Sequence, residues 1–435
     1  MDKKQIPPQN TQPDGNTIFY NTGEFMADLR QRQSTQADPL DSAQSLPSLF
    51  PEEATPAAHQ SFGSVTVVQR PKKKKTKKIW PILRITGKLL LSLVLTVAIL
   101  AAGLVGYLTV TEYNPAYAEL PQRGANSSKE VIHDRNLKIV TFNTGYGGLG
   151  EDADFFMDGG KSVNPESQEV VEGNMIGIER ILNRVDADIV LLQEVDTESD
   201  RSFHMNQWLQ YEYDLDSHKY ESRFALNYSC RYVPYPVKDR IGQVNSGIAT
   251  YSRFDITSAT RYSLPNPFSW PVRTANLKRC FLVTRIPIED STQELVMVNV
   301  HLEAYDDGEG KLAQTKQLMD FLVAEYAKGN YVIAGGDFNQ SFPNSEKSYP
   351  IKDTSNWAPG TLEALPQDWS YAYDNSTPTC RLLNVPYEFG GELTQYYVID
   401  GFIVSPNLTI NSTVTLDESF LYSDHNPVVI DITLN

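Results

Sequence analysis

From Leu89 to Val110 the chain runs 22 residues without a charged side chain, LLLSLVLTVAILAAGLVGYLTV. As a helix this stretch reaches ~33 Å, enough to cross the ~30 Å hydrocarbon core of a bilayer, whereas core helices of soluble proteins seldom stay uncharged for so long. Before it stand RPKKKKTKK at residues 70–78, Arg84 and Lys88; just after it Arg123 is outnumbered by Glu112 and Glu119. Positive charge stays on the cytoplasmic side, so the N-terminus is predicted inside and residues 111–435 outside a cell membrane crossed once. The bilayer itself, reached through residues 89–110, is then a partner, with the basic run beside anionic lipid. Ala116-Tyr117-Ala118 has the form of a signal-peptidase site, but the apolar run is longer than a usual signal core and begins only at residue 89, so an uncleaved anchor is expected.

The span divides two different polymers. Residues 1–110 hold 13 basic and 8 acidic groups, the remainder 25 and 46, so the second part carries −21 against +5 for the first. Residues 1–78 are expected to be a disordered cytoplasmic tail, rich in Gln, Pro, Ser and Thr and too poor in aliphatic groups to offset chain entropy. Residues 79–110 form the anchor, and 111–136 read as a stalk broken by Pro, Gly and Ser. Cys230, Cys280 and Cys380 are too few and scattered for a disulfide framework or a cysteine-rich zinc site; either Cys230 pairs with Cys280 or all three stay free. Asn227, Asn375, Asn407 and Asn411 begin sequons. No feature points to a protein partner.

From residue 137 onward short β-branched runs end repeatedly in polar groups. Leu137–Phe142 ends at Asn143, Asp188–Leu192 at Gln193-Glu194, and Leu295–Val300 at His301. Tyr331–Ala334 passes through two glycines into Asp337-Phe338-Asn339, Tyr396–Ile399 leads into Asp400, and Ser423-Asp424-His425 precedes Pro427–Ile432. Such runs read as buried strands. Helical periodicity over 172–185 places Met175, Ile178, Leu182 and Val185 on one face; over 309–328 it aligns Leu312, Leu318, Met319, Leu322 and Tyr326. Strands mixed with helices predict an α/β domain whose sheets are sandwiched by helices, with functional groups at the strand ends.

Asn143, Glu194 and Asp424 are hard oxygen donors of the kind Mg²⁺ takes, with Mn²⁺ or Ca²⁺ as alternatives. Asp400 can align His425 through one ring nitrogen, leaving the other for a phosphate oxygen or an attacking water. Asp337 can activate that water with Asn339 placing it, and His301 can serve a non-bridging oxygen or the leaving group. This is the inventory of hydrolytic phosphoryl transfer, which needs positioning and charge neutralisation rather than a covalent nucleophile.

The ordered series FNTG (142–145), LLQEV (191–195), NVHLEA (299–304), GGDFN (335–339), VIDGFIV (398–404) and SDHNPV (423–428) resembles the endonuclease/exonuclease/phosphatase superfamily over about residues 137–435. The resemblance implies a four-layer α-β-β-α sandwich of two packed mixed sheets and Mg²⁺-dependent cleavage of a phosphoester. It also implies roles: Asn143, Glu194 and Asp424 on the metal, His301 on the phosphate, Asp337 with Asn339 on the water, and Asp400 orienting His425.

The substrate is less constrained. A −21 domain disfavours tracking along nucleic acid, which relies on Lys and Arg against phosphates. Lys278, Arg279 and Arg381 are candidates for a local basic pocket. The aromatic segment 203–235 is either internal packing or a substrate rim, and Phe268–Pro271 and the long insertion 341–395 are candidate rim loops. The leading expectation is an extracytoplasmic phosphoesterase acting on a small phosphoester or lipid headgroup; a nuclease on DNA or RNA and a non-catalytic binding protein are the alternatives.

Overall fold

A computed structural model describes residues 79–215, 220–306, 308–352 and 357–435; the tail expected over 1–78 lies outside them. Helix α1 (Ile79–Val110) contains the apolar run. Its stretch Leu83–Val110, with mean hydropathy 2.6, is long and apolar enough to cross a membrane.

Residues 105–435 form a unit of their own, and the β-branched runs in it become strands that extend into the polar residues after them. They are β1 (Asn136–Asn143), β2 (Ile189–Asp196), β3 (Glu221–Val233), β4 (Gly242–Ser252), β5 (Ser258–Ser263) and β6 (Cys280–Pro287). After these come β7 (Glu294–His301), β8 (Tyr331–Asp337), β9 (Asp400–Val404), β10 (Leu408–Thr415) and β11 (Val428–Leu434). One sheet has the order β10-β11-β1-β2-β4-β3 and the other β5-β6-β7-β8-β9, each with short edge strands added. Both are mixed, since β1 and β2 are parallel, as are β7 and β8, while their other neighbours run antiparallel.

Side-chain alternation in the strands dictates the layers. Leu137, Ile139, Ile189 and Leu191 point to the second sheet and meet Leu295, Met297, Ile333 and Phe402. Their neighbours Val140, Phe142, Val190 and Leu192 point outward against α2 (Gln168–Val185) and α3 (Gln207–Asp214). On the second sheet Val296, Val298 and Val300 turn the other way and bury Leu318 and Leu322 of α4 (Glu309–Tyr326). The result is the expected helix–sheet–sheet–helix sandwich.

Three expectations need correction, and one alternative is decided. Tyr396–Ile399 does not run as a strand into Asp400: Tyr396–Tyr397 pairs with Cys380–Arg381, and Asp400 opens a new strand. The carbonyls of Val398 and Ile399 accept from Phe342 and Phe338, and Thr379 Oγ1 takes the N–H groups of Ile399 and Asp400, so loops replace a ladder there. Leu312 is exposed, because the first half of α4 braces loops with polar groups. Gln314, for example, donates to Pro265 O and accepts from the Glu303 N–H. Segment 111–136 is not a free stalk, since Ala118–Glu119 pairs with β5 and Gln122–Arg123 with β3, covering one edge of each sheet. Of the two alternatives for the cysteines, the second holds: Cys230, Cys280 and Cys380 are buried free thiols.

Within the apolar layer between the sheets lies one polar seam. Asn299 of β7, fully buried, donates through Nδ2 to Leu192 O at 3.1 Å and Ala249 O at 2.9 Å on the opposite sheet. Its Oδ1 accepts from Gln193 Nε2 at 2.8 Å, and Gln193 also donates to Thr141 Oγ1. Asn299→Leu leaves these partners buried without acceptors or donors, at about 1–3 kcal/mol for each group stranded. We expect a loss of about 3 kcal/mol or more, read as a lower urea midpoint for the full chain in detergent; an unchanged midpoint would show that the seam does not hold the sheets together.

Candidate active site

Strand register brings the polar terminators side by side. On β8, Asp337 stands opposite His301 of parallel β7 on one side and Asp400 of antiparallel β9 on the other. Gly336 makes this close pairing feasible: its φ is 152° and an added Cβ would lie 2.0 Å from Val300 O. On the facing sheet β1 ends at Asn143, whose register partner is Gln193.

Glu194 enters the site through a β-bulge. Between Leu192 and Val195 strand β2 has two residues where β4 has one, and Glu194 takes a left-handed φ of 54°. A non-glycine residue held there costs on the order of 1–2 kcal/mol. The bulge separates neighbours by function, with Gln193 turned into the inter-sheet seam and the Glu194 carboxylate into the site.

Asp337 Oδ2 is the common neighbour of the groups gathered there. It accepts from Asn143 Nδ2 at 3.0 Å and Asn339 Nδ2 at 3.3 Å, and lies 3.5 Å from His301 Nε2 and 3.9 Å from His425 Nε2. Its other oxygen takes the Asn339 N–H at 2.8 Å. Glu194 Oε1 accepts from Asn143 at 3.3 Å and stands 3.9 Å from His301 Nε2. Asp400 Oδ2 meets His425 Nδ1 at 2.9 Å, while Thr379 holds the Asp400 backbone. Ser423 Oγ donates to Asn143 O, which pins the loop carrying Asp424 and His425 to the end of β1.

All eight sequence-predicted residues therefore converge. Glu194, His301, Asp337, Asn339, Asp424 and His425 line one pocket; Asn143 and Asp400 stand behind it, bonded to its lining. The Asn143 amide, however, presents nitrogen to the two carboxylates, while its oxygen accepts from the Gly145 N–H.

The electrostatics are those of an acidic, largely buried pocket. Burial, with Asp400 alongside, raises the Asp337 carboxyl to about 7; burial and the nearby Glu194 raise Asp424 to about 7 as well. Burial lowers His301 well below the usual histidine range, reinforced by the Arg279 and His425 charges, so the ring is neutral. Burial also opposes charge on His425, but Asp400, Cys380 and Asp424 outweigh it and hold this ring protonated. Among the described residues no lysine or arginine forms an ion pair with Glu194, Asp337, Asp400 or Asp424. A set of hard, uncompensated carboxylate oxygens fits a divalent cation.

The three basic candidates separate. Lys278 is spent on Glu112 and Arg273 O. Arg381 lines the pocket but gives its terminal nitrogens to the carbonyls of Gly150, Ala153 and Val385. Arg279 also lines it. Of the aromatic segment, Trp208, Tyr211, Tyr220 and Phe224 are packing groups and Tyr228 alone reaches the pocket. Insertion 341–395 contributes Trp357, Cys380 and Leu383 to its wall, whereas Trp270 of the other rim loop instead donates to Thr109 Oγ1. Sequence reasoning missed Tyr146, Asp158 and Tyr305 in the lining, none of which ends a strand. Asp158, raised to about 6 by burial, accepts from Leu383 N and Tyr305 Oη.

The endonuclease/exonuclease/phosphatase family profile matches residues 140–425. Among solved structures the chain is similar to an endonuclease/exonuclease/phosphatase from Beutenbergia cavernae, at 18% identity over 69% of this chain and 72% of that one with a TM-score of 0.49. It is similar too to truncated Caenorhabditis elegans TDP2, at 17% identity over 68% and 97% with a TM-score of 0.42. The human Nocturnin catalytic domain, solved with a bound sulfate anion, shows 19% identity over 72% and 97% with a TM-score of 0.44. No curated protein matches the sequence. The family profile spans well over half of the chain, so the protein belongs to the endonuclease/exonuclease/phosphatase family and is a metal-dependent phosphoric ester hydrolase.

Proposed function

We propose that the chain is a membrane-anchored, extracytoplasmic, Mg²⁺-dependent phosphoesterase that hydrolyses a small phosphoester or lipid headgroup with water. The observation that carries this reading is the meeting of three buried carboxylates and the half-buried Glu194, none paired with lysine or arginine among the described residues, with two histidines and two asparagines around Asp337.

Glu194 and Asp424 hold the cation, and Asn143 joins them when its amide is turned to exchange nitrogen for oxygen. The cation, when bound, neutralises developing charge on the phosphate. Asp337 accepts the proton of the attacking water, which Asn339 positions; Asn339 is itself fixed by its bond to Leu302 O. Asp400 holds the Nδ1 proton of His425, so Nε2 donates to a phosphate oxygen. Neutral His301 donates its own ring proton to a second oxygen. The apolar helix anchors the domain, with the basic run before it on the cytoplasmic face. The −21 of the residues beyond the helix supports a compact substrate over a nucleic-acid track.

Full chain in detergent should hydrolyse bis(4-nitrophenyl) phosphate with Mg²⁺ or Mn²⁺, lose all activity with EDTA, and leave supercoiled plasmid intact. Asp337→Ala should lower kcat by about 10²–10⁴-fold; rates indifferent to chelator or to this substitution would contradict the reading, and plasmid nicking would favour the nuclease. Asp400→Asn, which removes the charge that orients His425, should cost kcat about 10²-fold or more while the melting temperature stays within a few degrees. Full activity in that variant would remove Asp400 from the mechanism. Protease added to intact cells should release a fragment from residues 111–435 and spare the N-terminal tail; a fully protected chain would contradict the topology.

A further inference from the structure

Three arginines line the pocket, and they are not equivalent. Arg201 pairs through two nitrogens with Asp196, at 3.0 and 2.9 Å, and covers the Tyr146 ring. Arg381 uses both terminal nitrogens on carbonyls and leaves only Nε without a partner. Arg279 is as deeply buried, at 4% exposure, yet its Nε and Nη1 have no hydrogen-bond partner. Its closest carboxylate oxygen, Glu303 Oε2, is 3.8 Å from Nε, an ion pair too long for a hydrogen bond, while the N–H groups of Ala304 and Tyr305 hold the other oxygen, Oε1. A desolvated guanidinium without acceptors is costly, so the fold keeps these donors for something that supplies them.

Asn227 carries the same signature. It is 2% exposed, lines the same pocket, and its Nδ2 has no partner. It lies on the other sheet, but Asn227 O accepts from Lys278 N at 2.8 Å, which sets residues 227 and 279 on adjoining backbones. Arg261, 1% exposed, fastens the junction by donating to Leu226 O and Lys278 O, each at 2.8 Å. Donors held this way are preorganised, and donors without acceptors select an oxyanion over a cation or an apolar group.

We propose that Arg279 and Asn227 form a second anion subsite, which binds a phosphate or similar oxyanion carried by the substrate beside the phosphate that is hydrolysed. The inference rests on the phosphoesterase reading above and deepens it to a substrate class: phosphoesters bearing a second anionic group. Arg279 adjoins the strand of His301 but stands apart from Asp337, a placement beside the reacting phosphate. Arg279 immediately precedes β6, two strands from Asp337 on β8, about 10 Å at the usual strand spacing. The reacting phosphate is served by His301, His425 and the cation site nearer Asp337.

The test is a matched pair of chromogenic diesters, thymidine 5′-(4-nitrophenyl phosphate) with and without a 3′-phosphate, given to the full chain in detergent with Mg²⁺ or Mn²⁺. In both, water attacks phosphorus and the P–O bond to 4-nitrophenolate breaks. Wild type should favour the 3′-phosphorylated diester in kcat/KM by about tenfold or more. Arg279→Gln and, independently, Asn227→Asp should bring that ratio close to one. The ratio does not depend on how much of a variant folds. A wild-type ratio of one, or a preference that survives both substitutions, would overturn the subsite. Loss of both rates at constant ratio in Arg279→Gln would assign Arg279 to the reacting phosphate and overturn it equally. If wild type hydrolyses neither diester, the phosphoesterase reading fails and takes this inference with it; hydrolysis of both without preference defeats the subsite alone.

Discussion

The amide of Asn299 bridges two sheets at the one depth where a slip would move the candidate active site. It binds the carbonyls of Leu192 and Ala249 and the side chain of Gln193, and Gln193 is followed at once by Glu194. Apolar contacts between the sheets are numerous but non-directional, and they would tolerate sliding of one sheet over the other. The hydrogen bonds of the seam do not. They tie β7, which ends two residues later at His301, to the bulge that aims Glu194. A buried polar network of this kind fixes a unique arrangement because any alternative leaves polar groups unpaired.

Above that seam the site concentrates negative charge in a largely buried pocket. Asp337, Asp400 and Asp424 are nearly fully buried; Glu194 faces the first two from the other sheet, and Asp424 stands on the loop before β11 of Glu194's own sheet. Among the described residues none of the four meets a lysine or arginine, and the shortest of their histidine contacts is that of Asp400 with His425 at 2.9 Å. Burial, with Asp400 beside the one and Glu194 beside the other, raises the carboxyls of Asp337 and Asp424, a state that a divalent cation relieves. Structure and chemistry are thus linked by one arrangement, in which a pocket costly to build without a cation is the pocket that phosphoryl transfer requires.

Much of this was legible in the chain. The strands announced themselves as β-branched runs, and the residues of the site were the polar groups at their ends, because a strand edge facing a pocket is where a polar group can be both fixed and accessible. What periodicity could not supply was pairing. Asp400 is adjacent in sequence to an apolar run but structurally begins the next strand, since loop groups from Thr379, Phe338 and Phe342 absorb the backbone of 398–400. Leu312 lies in helical register with buried positions yet faces solvent, as that half of α4 packs on polar loops. Segment 111–136 carries no strand pattern because its edge strands are two residues long. Asp158 had no sequence signal, and Asn227 stood out only as a sequon within the aromatic segment; tertiary contacts across sheets and loops bring both to the pocket.

The central claim is that Glu194 and Asp424, far apart in the chain, share one divalent ion. Anomalous diffraction from crystals of the full chain grown with Mn²⁺ addresses it directly. The account predicts a peak within about 2.5 Å of carboxylate oxygens of both residues. A peak elsewhere, for instance among Cys380, Asp424 and His425, or none at this site under saturating Mn²⁺, would contradict it.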